Sequence, residues 1–265
     1  MKIYGINDDE SGLSVGTLLY YEKERSCVIE LQEGLDEWTA PLLFTGYVRE
    51  GIYTIPRDVS YLWVKERVIP HSRQNIGSIL SHHRMKSYDE MRFLEISGGR
   101  CSQDSLSVRQ LEQVPEYVEQ RMRHNLCECI PLKEYTLLCF FADDTARKVD
   151  LSLLDKAKDM DKVIGNEALF ESCSIGSGGY AAVFNDAIDV PAWLLYSSGV
   201  SVPLRTDDFA VFVRKNITDT AESCDILQCS RQNLSYLVKK GHLSPVKKDV
   251  KGNLYLKGDV ISNRW

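Results

Sequence analysis

Apolar and polar positions alternate early in the chain. Gly16-Thr17-Leu18-Leu19-Tyr20-Tyr21 and Cys27-Val28-Ile29-Glu30-Leu31 flank the charged stretch Glu22-Lys23-Glu24-Arg25, the pattern of an antiparallel pair of strands around a hairpin turn. Residues 58–68 then form an amphipathic segment carrying Tyr61, Leu62, Val64 and Val68, which Pro70 ends because proline cannot continue a helix. From Ser72 onward Ile76, Ile79 and Leu80 recur at helical spacing, whereas residues 92–97 fit either a strand or the tail of a helix that begins near Tyr88. Further on, residues 135–141 and 146–151 flank Asp143-Asp144, and Ser152 opens an acidic–basic helical stretch. Residues 170–175 and 181–184 flank Gly176-Ser177-Gly178-Gly179, and Asp189-Val190-Pro191 leads into Trp193, Leu194, Leu195 and Tyr196. The order predicted for residues 132–198 is β-β-α-β-β-α.

The C-terminal stretch is the most legible. Thr218 is placed to cap a first helix holding Ala221, Ile226 and Leu227, and a short turn leads to Ser230, whose hydroxyl is placed to cap a second. Leu234, Leu237 and Val238 make one apolar face of that second helix, and Gly241 stands where a left-handed residue is wanted after a helix. This is helix-turn-helix spacing. Residues 246–256 predict two short strands around Gly252-Asn253, a wing. From Gln228 to Lys257 the only acid is Asp249, set against Arg231, Lys239, Lys240, Lys247, Lys248, Lys251 and Lys257. Amides and hydroxyls at the front of the second helix suit base edges, and lysines at its back suit phosphates. The expected partner is double-stranded DNA, and the expected contact set is Arg231, Gln232, Asn233, Ser235, Tyr236, Lys239, Lys240, Lys247, Lys248 and Lys251.

Three resemblances accompany these patterns. The Ser230-Arg231 opening, the Gly241-His242-Leu243-Ser244-Pro245 exit and the Leu254-Tyr255-Leu256 close, with Asp259-Val260 after it, resemble the winged helix-turn-helix shared by MerR-type regulators and phage excisionases. That resemblance covers roughly residues 218–265 and implies DNA binding. It does not carry symmetric operator binding, because the segment stands at the C-terminal end and no dimerising coiled coil follows Trp265. The string of Phe141, Asp143, Val149-Asp150-Leu151, Phe170, the glycine turn and Asp189 to Leu195-Tyr196 resembles a small bacterial domain of unknown function, often found beside helix-turn-helix segments. Residues 63–80, Tyr88-Asp89-Glu90 and residues 99–104 resemble an uncharacterised Firmicutes family, which implies no chemistry.

Composition bounds the rest. With 265 residues, 43% of them hydrophobic and 26% charged, two or three globular domains are expected. A net charge of −6 argues against coating nucleic acid indiscriminately but leaves room for a local basic patch. No apolar run approaches the roughly 20 residues of a membrane span, and Met1-Lys2-Ile3-Tyr4-Gly5 runs into acids, so a cytoplasmic protein without membrane partner is expected. Cys27, Cys101, Cys139, Cys173, Cys224 and Cys229 are scattered among apolar neighbours and predict buried thiols, not disulfides. His124, Cys127 and Cys129 lack a second ligand pair nearby, so neither a metal nor a cofactor is expected.

Arg67, Arg73, Gln74, Asn75 and Arg100 form a second candidate polar site, able to hold a phosphate or carboxylate bidentately. The preferred alternative has the arginines of this region pairing with Glu66, Asp89, Glu90, Glu95 and Asp104 as part of the fold. Ser72-Arg73-Gln74-Asn75 also echoes Ser230-Arg231-Gln232-Asn233, through shared capping chemistry or through a second helix-turn-helix formed by residues 58–68 and 72–82. The glycine-rich turn joins two strands, and so suits a hairpin better than a phosphate cradle. The expected organisation is an α+β protein of several modules: residues 1–131 of unknown role, 132–207 a small α+β domain with 202–208 as linker, and 208–265 the winged helix-turn-helix. A DNA-binding regulator, a transcription factor or antitoxin-like protein and not an enzyme, is the first expectation. A protein-interaction adaptor or homo-oligomer, and an enzyme acting on a phosphate-bearing substrate through residues 63–104, are the alternatives.

Overall fold

In the computed structural model, which describes residues 1–154, 159–248, 252–256 and 260, the opening alternation becomes strands β1 (Lys2–Asp8), β2 (Ser14–Tyr21) and β3 (Ser26–Leu31). The chain is mixed α and β, as expected. Leu18 pairs with Ile29 and Leu19 with Val28, so each antiparallel pair presents its side chains to the face opposite the other. Both faces are covered. Leu18 and Ile29 join one core with Trp63, Val64, Phe93 and Leu94, whereas Leu19 and Val28 pack with Val118 and Tyr180. The elements that follow are α1 (Thr45–Arg49), β4 (Thr54–Ile55), α2 (Arg57–Glu66), α3 (Ile76–His82), α4 (Glu90–Ser97), β5 (Leu106–Leu111) and α5 (Glu116–Met122). The sheet runs β4-β3-β2-β1-β5.

Residues 92–97, ambiguous by periodicity, lie in helix α4 because both ends are chemically marked: the Asp89 carboxylate accepts from the Arg92 N–H, and Gly98 takes the left-handed conformation after the last turn. Buried Ser60 on α2 donates to the Ile55 carbonyl and accepts from the Ile29 N–H, tying helix to sheet through a hydroxyl whose donor and acceptor are both used.

Strands β6 (Leu126–Pro131), β7 (Thr136–Phe141) and β8 (Ala146–Asp150) run in the order β8-β7-β6. Then come α6 (Met160–Val163), α7 (Glu167–Glu171), β9 (Cys173–Ile175), β10 (Ala181–Phe184), β11 (Ile188–Pro191) and α8 (Ala192–Ser198), with β10 central between β11 and β9. The predicted β-β-α-β-β-α order is thus enlarged by β6 at its front and β11 before its last helix. β6 pairs with β7 across position 131, and Leu126 and Cys129 bury in the same core as Leu137, Phe141, Phe184 and Leu195.

The first and middle expected modules make a single compact unit, residues 1–143 with 147–200; residues 201–265 with 144–146 make another. Within the first unit, Arg57 Nε is 2.7 Å from Asp189 and its Nη1 is 2.8 Å from Asp186. Asn125 donates to the Gly178 carbonyl at 2.9 Å, and Gly178 (φ 63) lies so close to the Tyr21 ring that a Cβ there would overlap it. The fully buried Glu30 carboxylate accepts from Arg121 at 2.8 Å and from Thr54 at 2.9 Å, yet burial still pushes its pKa above the ordinary carboxylate value.

The second unit contains most of β12 (Val200–Val202), then α9 (Thr206–Asn216), β13 (Ile217–Thr218), α10 (Thr220–Leu227), α11 (Arg231–Lys239) and β14 (Tyr255–Leu256). The segment expected as linker, 202–208, therefore ends inside a helix. No helix among the described residues is long and apolar enough to cross a membrane.

Candidate nucleic-acid interface

Helix α10 opens with a capping box: Asp219 accepts from the Glu222 N–H at 2.9 Å, and Glu222 accepts from the Asp219 N–H at 3.1 Å. Thr218, the expected cap, is instead buried in β13 with its hydroxyl 2.9 Å from that of Ser223. The shift by one residue follows from the Asp-x-x-Glu spacing, which satisfies two orphan N–H groups where threonine would satisfy one. Gln228 (φ 50) ends α10, and after Gln228, Cys229 and Ser230 the chain enters α11. Ser230 caps that helix as expected, accepting from the Asn233 N–H at 3.3 Å.

The far end of α11 is closed by Gly241 (φ 76), with Gly241 N–H bonded to the Val238 carbonyl and His242 N–H to the Leu237 carbonyl at 3.0 Å. Those two bonds make a Schellman motif and satisfy carbonyls that would otherwise be unpaired. The apolar face behaves as its spacing predicts: Leu234 is buried with Leu243, Tyr255 and Val260, and Ile226, Leu227, Leu237 and Val238 pack around them. Lys247 and Leu254 form an antiparallel bridge, Gly252 takes φ 126 between them, and β14 pairs onward with β13 through Thr218 and Tyr255. The segment 254–256 thus joins residues 246–247 on one side to the start of the helical pair on the other.

Gln232, Ser235, Tyr236 and Lys239 fall at i, i+3, i+4 and i+7 and are all exposed, as are Arg231, Asn233 and Lys240. Tyr236 keeps 54% of its surface, and the Lys240 ammonium sits 5.6 Å from its ring centroid. Lys247 and Lys248 are exposed too. None of Arg231, Lys239, Lys240, Lys247 and Lys248 has an ion-pair partner among the described residues. Lys251, with Asp249, Lys257 and Asp259, lies outside the described residues.

The second candidate set does not converge. Arg67 is buried, stacks 4.1 Å over the Trp63 ring, and spends its guanidinium on the Gly99 carbonyl and both oxygens of Asp104. Burial alone would raise the Asp104 carboxyl, but the hydrogen bonds from Arg67 and from the Leu106 N–H hold it below its ordinary value. Arg100 pairs with Asp9, and Arg73 bonds Asn75 on an exposed turn beside the exposed Gln74. The preferred structural network accounts for Arg67 with Asp104 and for Arg92 with Glu95; Asp9 is a partner that local spacing does not indicate.

None of the eight cysteines forms a disulfide. The thiols of Cys139 and Cys173 each lie 3.7 Å from that of Cys129. Burial lifts the Cys27 thiol to about 12, and mutual hydrogen bonding with burial lifts Cys173, so these are protonated packing groups and not nucleophiles. Of the cysteines expected to be buried, Cys27 and Cys139 are, whereas Cys101, Cys173, Cys224 and Cys229 are only half-buried; Cys127 is exposed, and His124 stacks on Tyr196 with centroids 3.9 Å apart. Among the described residues no group of three such side chains is placed to hold a metal ion. No family model, curated protein or solved structure matches the chain.

Proposed function

We propose that residues 217–260 act as a winged helix-turn-helix that binds double-stranded DNA, and that the chain is a DNA-binding regulator, a transcription factor or an antitoxin-like protein. The observation that carries this is the exposed row Gln232, Ser235, Tyr236 and Lys239 on a helix capped at both ends, with unpaired cations around it. A row of amide, hydroxyl and phenol groups offers donors and acceptors to a major-groove edge, while Arg231, Lys239, Lys240, Lys247 and Lys248 meet phosphates on either side. Their basicity is local, so the acidic remainder of the chain disfavours indiscriminate coating.

The test is fluorescence anisotropy of a mixed-sequence duplex with the full chain. Lys239→Glu with Lys240→Glu is expected to weaken binding to every duplex alike, because phosphate contacts are blind to sequence, whereas Gln232→Ala is expected to relax preference among duplexes. Unchanged affinity of the double variant at low salt would overturn the assignment. A protein-interaction adaptor is the second reading, favoured by the large exposed surface of Tyr236, a residue type enriched at protein interfaces. It predicts no duplex binding at any salt concentration.

A further inference from the structure

The first unit contains an open cavity of about 640 Å³ whose walls come from residues 39–43, from α2, and from Asp8 and residues 101–106. Its apolar wall is made by Leu43, Trp63 and Leu106. Its charge is one-sided: Arg67 is neutralised by Asp104, which leaves the carboxylates of Asp8 and Glu66 with no ion-pair partner among the described residues. Hydroxyl donors from Ser105 and Ser11 hold Asp8 at about 2, so it is ionised at neutral pH.

A second feature adjoins the cavity. Leu42 in its wall is 94% exposed and Trp38, just upstream, is 86% exposed, the highest values among the large apolar side chains described. The segment that presents them is ordered by hydrogen bonds. Asp36 accepts from the Trp38 N–H and Thr39 N–H at 2.9 Å and from the Thr39 hydroxyl at 2.8 Å, and Glu37 pairs with Arg49 at 3.1 Å. An exposed tryptophan on a fixed backbone beside a cavity has the character of an interface anchor, since such residues contribute large contact area with little backbone ordering cost.

We propose that this face docks a basic, apolar peptide segment of a partner protein, with a Lys or Arg side chain entering the cavity toward Asp8 and Glu66 and apolar side chains covering Trp38 and Leu42. Charge selects this occupant. Nucleic acid and acidic peptides would meet two carboxylates that no cation offsets among the described residues, and a second copy docking through the same face would bring those carboxylates against their own counterparts. A free amine would satisfy the carboxylates but leave Trp38 in water.

The test selects a display library of short random peptides on the full-length chain alone, and each enriched peptide is then titrated against the full-length chain and against the Trp38→Ser, Leu42→Ser double variant. Both positions are solvent-exposed, and an unchanged melting curve confirms the fold of the variant. Expected are enriched peptides in which Lys or Arg alternates with apolar residues. Their affinity should fall about tenfold or more in the double variant, and also in Glu66→Lys, which leaves the apolar anchors in place. Four results would overturn the proposal: no enrichment at all; peptides that bind the double variant equally well; spermidine displacing the peptide with equal affinity, which would mark a small-amine site; and a dimer in sedimentation that the double variant loses, which would assign the face to a second copy.

Discussion

Ser72-Arg73-Gln74-Asn75 and Ser230-Arg231-Gln232-Asn233 are the same four residues followed by apolar side chains at the same offsets, yet they fold differently. At the second site Ser230 caps and Arg231 begins the helix; at the first, successive turns run from Arg73 N–H to the Pro70 carbonyl and from Ile76 N–H to the Arg73 carbonyl, and the helix starts only at Ile76. Asn75 occupies the cap position there without a side-chain bond to the helix, its Oδ1 accepting instead from Arg73 Nε. Burial separates the two as well. α3 has no buried residue, whereas α11 buries Leu234 at 1% exposure. A serine three residues ahead of an amide permits a cap, but the core behind the helix decides where the helix begins. The idea of a second helix-turn-helix at residues 58–82 fails on this point: Arg73 and Gln74 are exposed as it required, but they precede α3 and do not open it.

The sharpest break in the comparison comes from core truncation. Leu234→Ala is expected to cost about 4 kcal/mol in urea unfolding of the second unit, in the upper part of the range for buried leucine. Ile79→Ala on half-buried α3 should cost about 1 kcal/mol. Equal losses would mean that packing does not distinguish the two helices. Next in size is the contrast between arginines. Arg67→Met should cost about 3 kcal/mol, the low end for a broken buried pair because Asp104 remains 34% exposed at its side chain; Arg73→Met should stay within about 0.5 kcal/mol. The first substitution also changes the acid limb. A carboxyl whose folded pKa is depressed contributes stability above its unfolded value, 3.8 for Asp104, and loses it as pH falls through the folded value. Acid titration of stability should therefore flatten below about pH 4 in Arg67→Met and not in Arg73→Met.

Smaller effects refine the picture. Gly241→Ala should destabilise by about 1–2 kcal/mol, because φ 76 is strained for a residue with a side chain. Gly77→Ala, inside α3 with open space around the added methyl, should stabilise by about 0.4–1 kcal/mol. Ser230→Ala should cost about 1 kcal/mol, and Ser72→Ala nothing beyond about 0.5 kcal/mol, as read by thermal melts of the full chain. A matching loss at Ser72 would show that it caps α3 in solution.

Much of this structure is legible in the residues where local chemistry decides it. The first strands show in their alternation, and α11 shows in Ser230, Leu234, Leu237, Val238 and Gly241. The cap of α10 is Asp219 and not Thr218, and Asp219 with Glu222 carries the spacing that marks it. The union of the first two expected modules rests on pairs far apart in sequence, Arg57 with Asp189 and Asn125 with Gly178, which no local window contains. The expected boundary after residue 131 falls between two strands that pair with each other, β6 and β7. The cavity beside Trp38 was illegible for the same reason, its walls coming from four separate stretches of chain.

The central claim is that α11 and the basic residues after it meet DNA phosphates, and the salt dependence of duplex affinity measures this most directly. Log affinity against log salt should fall linearly for the full chain, with a slope reduced by about two units when Lys239 and Lys240 become Ala, since each phosphate contact contributes about 0.9. A slope identical in the full chain and the double variant, or no duplex binding at low salt, would contradict it.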